Sequence, residues 1–130
     1  YCNTLVIYST KMGMEFTPYG NKVIVAGESY IRNKEITLDP KTKREYYNLL
    51  DKFPNIEKMT PERIERAKKY AYHYFFRRTM QVSSLESIQN AWPPFKVSKK
   101  SLENLIDNND KGLEVMSQCI INNNKFIQDI

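Results

Sequence analysis

The residues best suited to chemistry follow an apolar run near the start of the sequence. Ser9 and Thr10 bring two hydroxyls, Lys11 brings an ammonium group, and Gly13 permits close approach of a ligand or of a neighbouring strand. Backbone N–H groups at the start of a helix attract anions, so this run predicts a phosphate site formed by these four residues. Glu15, about one turn further on, could accept hydrogen bonds from a ribose or sugar hydroxyl. An ordinary Ser/Thr helix cap with a surface glutamate also fits the pattern.

A second polar segment, residues 28–34, follows another apolar run, Lys22–Ala26. Because the carboxyl ends of parallel strands meet at one edge of a sheet, this segment should lie beside the first one. It offers cations for a phosphate or an acidic sugar, an aromatic ring for stacking, and a carboxylate. A solvated polar loop is the alternative, since loops are usually polar. The residues of this predicted cleft loop are Glu28, Tyr30, Arg32 and Lys34.

The elements that would position these residues follow from apolar spacing and from capping residues. Thr4–Tyr8 and Lys22–Ala26 read as strands covered on both faces, with a helix from about Lys11 to Thr17 between them. That order is a βαβ unit, and it predicts a helix-rich α/β fold with a short parallel sheet. The remaining predicted elements are an extended piece at Ile36–Leu38, helices at Lys41–Leu50 and Pro61–Arg78, an irregular segment at 81–97, and helices from Ser98 and from about Gly112.

Composition narrows the classes of function. The chain has 130 residues, 41% of them hydrophobic, and a net charge of +5, which suits one domain with a real core and a basic surface. Such a charge fits a phosphorylated ligand, a nucleic acid, an anionic membrane or simply a solvated surface. The chain has two cysteines in no CxxC pair and a single histidine, His73, so we expect no metal site. No apolar run approaches the roughly 20 residues of a membrane span, and we expect a cytoplasmic protein.

The predicted helix from Pro61 is rich in cations and aromatic side chains, which leaves two other classes of function open. Its arginines and lysines could hold nucleic acid or an anionic membrane, as a basic binding module without catalysis. Its tyrosines and phenylalanines could form a purely structural contact surface. A solvated face with local glutamate partners is the alternative for the charges.

The order and spacing of several segments resemble those of capsule polysaccharide biosynthesis proteins. That family contains surface-carbohydrate glycosyltransferases of GT-B type, including transferases of Kdo. The resemblance covers about residues 4 to 80, and Glu35 stands where the family usually has glycine. It rests on Val6–Glu15, Gly20–Glu28, Tyr30–Lys34, Asp39-Pro40, Glu45-Tyr46 with Leu49-Leu50, and the helix from Thr60 to Arg77.

The resemblance implies a partial Rossmann-like lobe that binds a nucleotide-sugar. Residues 1–80 would form this part of the carboxyl-terminal GT-B lobe, and residues 81–130 would be a helical extension packed on it. Ser9 and Thr10 would hold the nucleotide phosphate, Glu15 the ribose or sugar, and the loop of residues 28–34 would face the cleft between two lobes. A CMP-linked sugar is among the candidate donors.

The resemblance also implies what this chain would depend on. The acceptor-binding amino-terminal lobe, which usually carries the general base, would be a separate part of the same protein. We therefore expect no catalytic residue within this chain, weak or no transferase activity of the chain alone, and no metal. The expected partners are the nucleotide-sugar donor, a glycan or glycolipid acceptor, the missing lobe and a peripheral contact with the bacterial inner membrane. Nucleic acid is not expected as a partner.

Overall fold

The chain is a mixed α/β structure in the computed structural model, which describes residues 3–53, 55–97, 99, 102–103 and 110–128. It divides into two compact units, Tyr1–His73 and Tyr74–Ile130. The predicted boundary at residue 80, and the packing of the extension on the first lobe, stay predictions. Within the described ranges, no helix combines the length and the apolar character needed to cross a bilayer.

The first unit is built on a short parallel sheet. Strand β1 (Thr4–Ile7) pairs in parallel with β2 (Lys22–Val25), with Thr4 opposite Lys22. Leu38 forms a parallel bridge with Ile24 on the other side of β2. Its amide donates to the Val23 carbonyl at 2.8 Å, and the Val25 amide donates to the Leu38 carbonyl at 3.0 Å. The predicted α/β class with a short parallel sheet is therefore confirmed.

The two strands differ in how well they are covered. All four residues of β2 are buried, as expected for a strand with parallel neighbours on both sides. In β1, which lies at the edge of this sheet in the described structure, Val6 is 41% exposed. The prediction that both strands are covered on both faces is right for β2, whose residues are all buried, and wrong for β1, where Val6 leaves one face exposed.

The connection between the strands is a short helix followed by a tight turn. Helix α1 (Met12–Phe16) and a 3₁₀ turn (Thr17–Tyr19) lie within the predicted helical region and just after it. A Cβ on Gly13 would lie 2.8 Å from Cδ1 of Ile7, so glycine allows α1 to approach β1 closely. The Thr17 hydroxyl donates to the Gly13 carbonyl at 2.9 Å, which stabilises the end of α1.

Two longer helices complete the first unit, and both begin at a capping threonine. In helix α2 (Lys43–Asp51) the Thr42 hydroxyl accepts a hydrogen bond from the Glu45 amide. In helix α3 (Pro61–Tyr72) the Thr60 hydroxyl accepts one from the Arg63 amide. A π-helical turn (His73–Arg77) continues α3, so the predicted extent of this helix, to about residue 78, is confirmed.

The second unit contains a small antiparallel strand pair and a helix. Strands β3 (Glu86–Ser87) and β4 (Phe95–Lys96) pair within the segment that was predicted to be irregular. Helix α4 (Lys111–Ile121) begins one residue before the predicted start at Gly112. Ser98 and most of the helix predicted to start there lie outside the described residues.

The buried carboxylate of Asp110 links Ser84, which precedes β3, to the start of α4 in the second unit. The Ser84 amide and hydroxyl donate to Oδ2 of Asp110 at 2.7 and 2.6 Å. The Gly112 and Leu113 amides donate to Oδ1 at 3.1 and 3.2 Å, which caps α4. These bonds, the Ser84 hydroxyl first, lower the pKa of Asp110 from 3.8 to about 2.

Replacing this carboxylate should change the acid stability of the protein. Because the folded pKa of Asp110 lies below its unfolded value, its contribution is present above about pH 4 and is lost as the pH falls toward 2. Asp110→Ala should lower the free energy of unfolding at neutral pH by about 1–2 kcal/mol, and the difference from the parent should shrink between pH 4 and 2. Urea unfolding followed by circular dichroism measures both effects. The exposed Glu114→Ala is the control, and a pH-independent difference for Asp110→Ala would contradict this account.

Candidate functional site

A cavity of about 440 Å³ lies at the carboxyl end of the parallel sheet. Its walls are Tyr8 just after β1, residues 26–28 just after β2, Arg32, residues 40–43 just after Leu38, and Tyr46 in α2. The three parallel segments therefore end at the same place, which is where open α/β sheets bind their ligands. Its volume falls within the roughly 300–1,000 Å³ typical of small-molecule sites.

Arg32 holds the walls of this cavity together. Its Nη1 donates to the carbonyls of Val25 and Gly27 at 2.9 and 3.0 Å, and its Nη2 donates to the carbonyl of Pro40. The side chain thus connects the end of β2 to the segment that leads into α2. The guanidinium is half-buried and fixed in place, so it gives the cavity a positive charge that does not move.

The loop that carries Arg32 is fixed by its own side chains. Asp39 accepts from the Asn33 amide at 2.8 Å and from the Thr37 hydroxyl at 2.6 Å. From α3, Arg63 donates to the carbonyls of Glu35 and Thr37 at 3.2 and 2.8 Å. These bonds fold the loop back on the first unit and keep Arg32 aimed at the sheet.

Two residues of this loop have left-handed backbone conformations. Asn33 has φ 59° and Glu35 has φ 58°, and for a glutamate this region is unfavourable. Arg66 forms an ion pair with the Glu35 carboxylate, and Arg63 binds its carbonyl. The contacts from α3 therefore support a backbone conformation that glycine would adopt more readily.

The residues predicted to bind phosphate follow Tyr8 in the sequence and are not part of the cavity wall. Ser9 and Lys11 are exposed and Thr10 is half-buried. The Thr10 hydroxyl accepts a long hydrogen bond, 3.4 Å, from the Met12 amide. Among the described residues, no group accepts a hydrogen bond from the amides of Ser9, Thr10 or Lys11.

Other parts of the predicted phosphate site are engaged within the protein. Lys11 forms an ion pair with Glu15, with Nζ 3.3 Å from Oε1. The side chain predicted to bind phosphate is thus paired with the side chain predicted to bind a ribose or sugar. Gly13 is buried against Ile7, which gives it a packing role. Helix α1 has only five residues, so its dipole is small. Any anion here must be held mainly by hydroxyls, amides and side-chain cations.

The predicted cleft loop divides into two parts. Glu28 and Arg32 line the cavity. Tyr30 and Lys34 are exposed and are not part of its wall, and the Tyr30 carbonyl accepts a hydrogen bond from the Tyr70 hydroxyl at 2.8 Å. The structure thus brings only half of the predicted loop residues to the cavity.

Sequence reasoning missed the residues on the far side of the cavity. Lys41, Thr42 and Lys43 line it together with Tyr8 and Tyr46. The sequence feature that could have revealed these residues is the extended piece predicted at Ile36–Leu38. Had it been assigned as a third parallel strand, its carboxyl end would have brought residues 40–43 to the same edge of the sheet.

The charges around the cavity favour an anion. Its wall carries the cations Arg32, Lys41 and Lys43 against a single carboxylate, Glu28. A nearby carboxylate, Glu45, is occupied by the Lys41 amide at 2.8 Å. In the part of the chain that the structure describes, no three His, Cys, Asp or Glu side chains come together as a metal site would require.

Comparison of the chain with models of protein families, with curated proteins and with solved structures gives no match.

Replacing Arg32 should damage the first unit far more than replacing its neighbour Lys34. Arg32→Ala leaves three carbonyls without their charged donor, and we expect a loss of about 3 kcal/mol in the free energy of unfolding. Lys34→Ala, at an exposed position in the same loop, should change it by less than about 0.5 kcal/mol. Chemical unfolding of both variants measures the difference, and equal stability would refute the role assigned to Arg32.

Proposed function

We propose that this chain is the donor-binding part of a nucleotide-sugar-dependent glycosyltransferase that builds a capsular or other surface polysaccharide. Its first unit would be a partial Rossmann-like lobe of the GT-B type. The observation that carries the proposal is the cationic cavity at the common carboxyl end of β1, β2 and Leu38. Ligands of Rossmann-like sheets bind at this edge.

The reaction explains why such a site would be cationic. An acceptor hydroxyl oxygen bonds to the anomeric carbon of the donor sugar, the bond from that carbon to the phosphate oxygen breaks, and the nucleotide keeps the electron pair. The hydroxyl proton passes to a general base, which we expect on the acceptor-binding lobe. Fixed donors and cations that face the developing phosphate charge lower the barrier, since they need no reorganisation.

The residues would divide the work as follows. Arg32, Lys41 and Lys43 supply positive charge to the cavity wall. The hydroxyls and amides of Ser9 and Thr10, which follow Tyr8 in the sequence, would donate to phosphate oxygens of the ligand. Glu15, held by Lys11, would accept from a ribose or sugar hydroxyl once the ligand is bound.

The conformation of the loop also supports the proposal. Glu35 stands where capsule polysaccharide biosynthesis proteins usually have glycine, and its φ of 58° is one that glycine adopts without strain. A backbone suited to glycine at this position is what the resemblance implies. The close contact of Gly13 with β1 fits the same α/β packing.

The alternative of a polyanion-binding module has less support. Several cations of the α3 helix already have partners inside the protein. Arg63 binds loop carbonyls, Arg66 pairs with Glu35, and Lys69 pairs with Glu65. Arg63 is therefore less available to a nucleic acid or a membrane than the sequence suggests, whereas the ion pairs of Arg66 and Lys69 lie at the surface and are weak.

Nucleotide binding tests the proposal directly. We expect CMP or UDP to bind the chain in calorimetry, and we expect Thr10→Ala and Glu15→Ala each to weaken binding about 5- to 10-fold, since each removes one or two hydrogen bonds. Glu57→Ala, an exposed glutamate outside the cavity wall, should bind like the parent.

Two results would overturn the proposal. One is the absence of binding by any nucleoside mono- or diphosphate at millimolar concentration. The other is equally strong, steeply salt-dependent binding of any polyanion without preference for nucleotides, which is the behaviour of the basic module.

A further inference from the structure

The ring of Tyr8 lies directly against Gly27 in the wall of the cavity. A Cβ on Gly27 would lie 2.5 Å from both Cδ2 and Cε2 of Tyr8, closer than any real side chain permits. The ring therefore occupies the space that a side chain at position 27 would need. The ring can occupy this position only because residue 27 is glycine.

Glycine is needed at position 27 for this contact and not for an unusual backbone conformation. Among the glycines, only Gly20 has a positive φ, so an alanine at position 27 would meet no backbone strain of that kind. Its cost would fall on the Tyr8 ring, which would have to move. Close approach is thus the structural reason for glycine here.

The Tyr8 ring is also largely open to solvent. Tyr8 is 74% exposed although one part of its ring lies on Gly27. A large aromatic side chain that is exposed on the wall of a cavity offers a flat apolar surface to a ligand.

We infer that Tyr8 is a stacking platform for the base of the bound nucleotide, and that Gly27 leaves the space that its ring occupies. The inference rests on the proposed function and adds a residue and an orientation to it. The same cavity wall carries Arg32, Lys41 and Lys43, so one ligand could place a planar ring on Tyr8 and its phosphate near these cations. Nucleoside phosphates combine both features, and stacking on an aromatic side chain tolerates every base.

A comparison of ligands with and without a base tests this inference. Calorimetry would measure CMP, UMP and ribose 5-phosphate binding to the parent chain and to Tyr8→Ala, Tyr8→Phe and Gly27→Ala. Loss of one stacked base should weaken binding of both nucleotides about 10-fold in Tyr8→Ala, while ribose 5-phosphate binds as before. Tyr8→Phe keeps the ring and should bind like the parent.

Gly27→Ala tests the contact between Tyr8 and Gly27 separately from the presence of the aromatic ring. It keeps the tyrosine but displaces its ring from the position beside residue 27, so nucleotide binding should weaken toward the level of Tyr8→Ala. The matched control is Tyr19→Ala, which removes a tyrosine that is 84% exposed and is not part of the cavity wall. This control should bind both kinds of ligand like the parent, and circular dichroism should show all variants folded.

Each contrary result has a distinct meaning. If the parent binds nucleotides and Tyr8→Ala binds them equally well, the stacking role is wrong and the proposed function stands. If Tyr8→Ala weakens ribose 5-phosphate as much as the nucleotides, Tyr8 shapes the cavity and does not stack on a base. If the parent binds no nucleotide, the proposed function fails and the inference fails with it.

Discussion

The cavity depends on a single guanidinium that satisfies carbonyl groups from two separate segments of the chain. Arg32 binds the carbonyls of Val25 and Gly27 at the end of β2 and the carbonyl of Pro40 before α2. A carbonyl at the end of a strand has no ladder partner, and leaving it unpaired when buried is costly. By pairing all three, Arg32 joins the sheet to the start of α2 and holds the space between them open. The same guanidinium that pairs with these backbone carbonyls also contributes positive charge to the cavity.

The other features of the site follow from this arrangement. Gly27 is fixed through its carbonyl, so its bare Cα becomes a stable surface on which the Tyr8 ring lies. Pro40 is fixed in the same way, so Lys41 and Lys43 are kept on the opposite segment. The wall therefore combines an aromatic surface with cations, and the hydrogen bonds of Arg32 hold the segments that carry Gly27 and Pro40. Such prior positioning reduces the ordering that a ligand must cause when it binds.

The sequence predicted the sheet well because its signals are local. The β-rich runs mark β1 and β2 to within one residue, and the cap at Thr60 marks the start of α3. The role of Arg32 was not predictable, since its partners are carbonyls whose positions depend on the folded loop. The position of the Tyr8 ring depends on a contact across 19 positions in sequence, which no local pattern reveals.

The most direct test of the account is an NMR titration of the isotope-labelled chain with CMP, following the backbone amide signals. The account predicts that the shifted signals belong to Tyr8–Lys11, residues 26–28 and residues 41–43, the segments that meet at the carboxyl end of the sheet. Signals of α4, in the second unit, should stay unchanged. Shifts confined to α3 or α4, or no shifts at saturating nucleotide, would contradict the claim that this edge of the sheet binds a phosphorylated ligand.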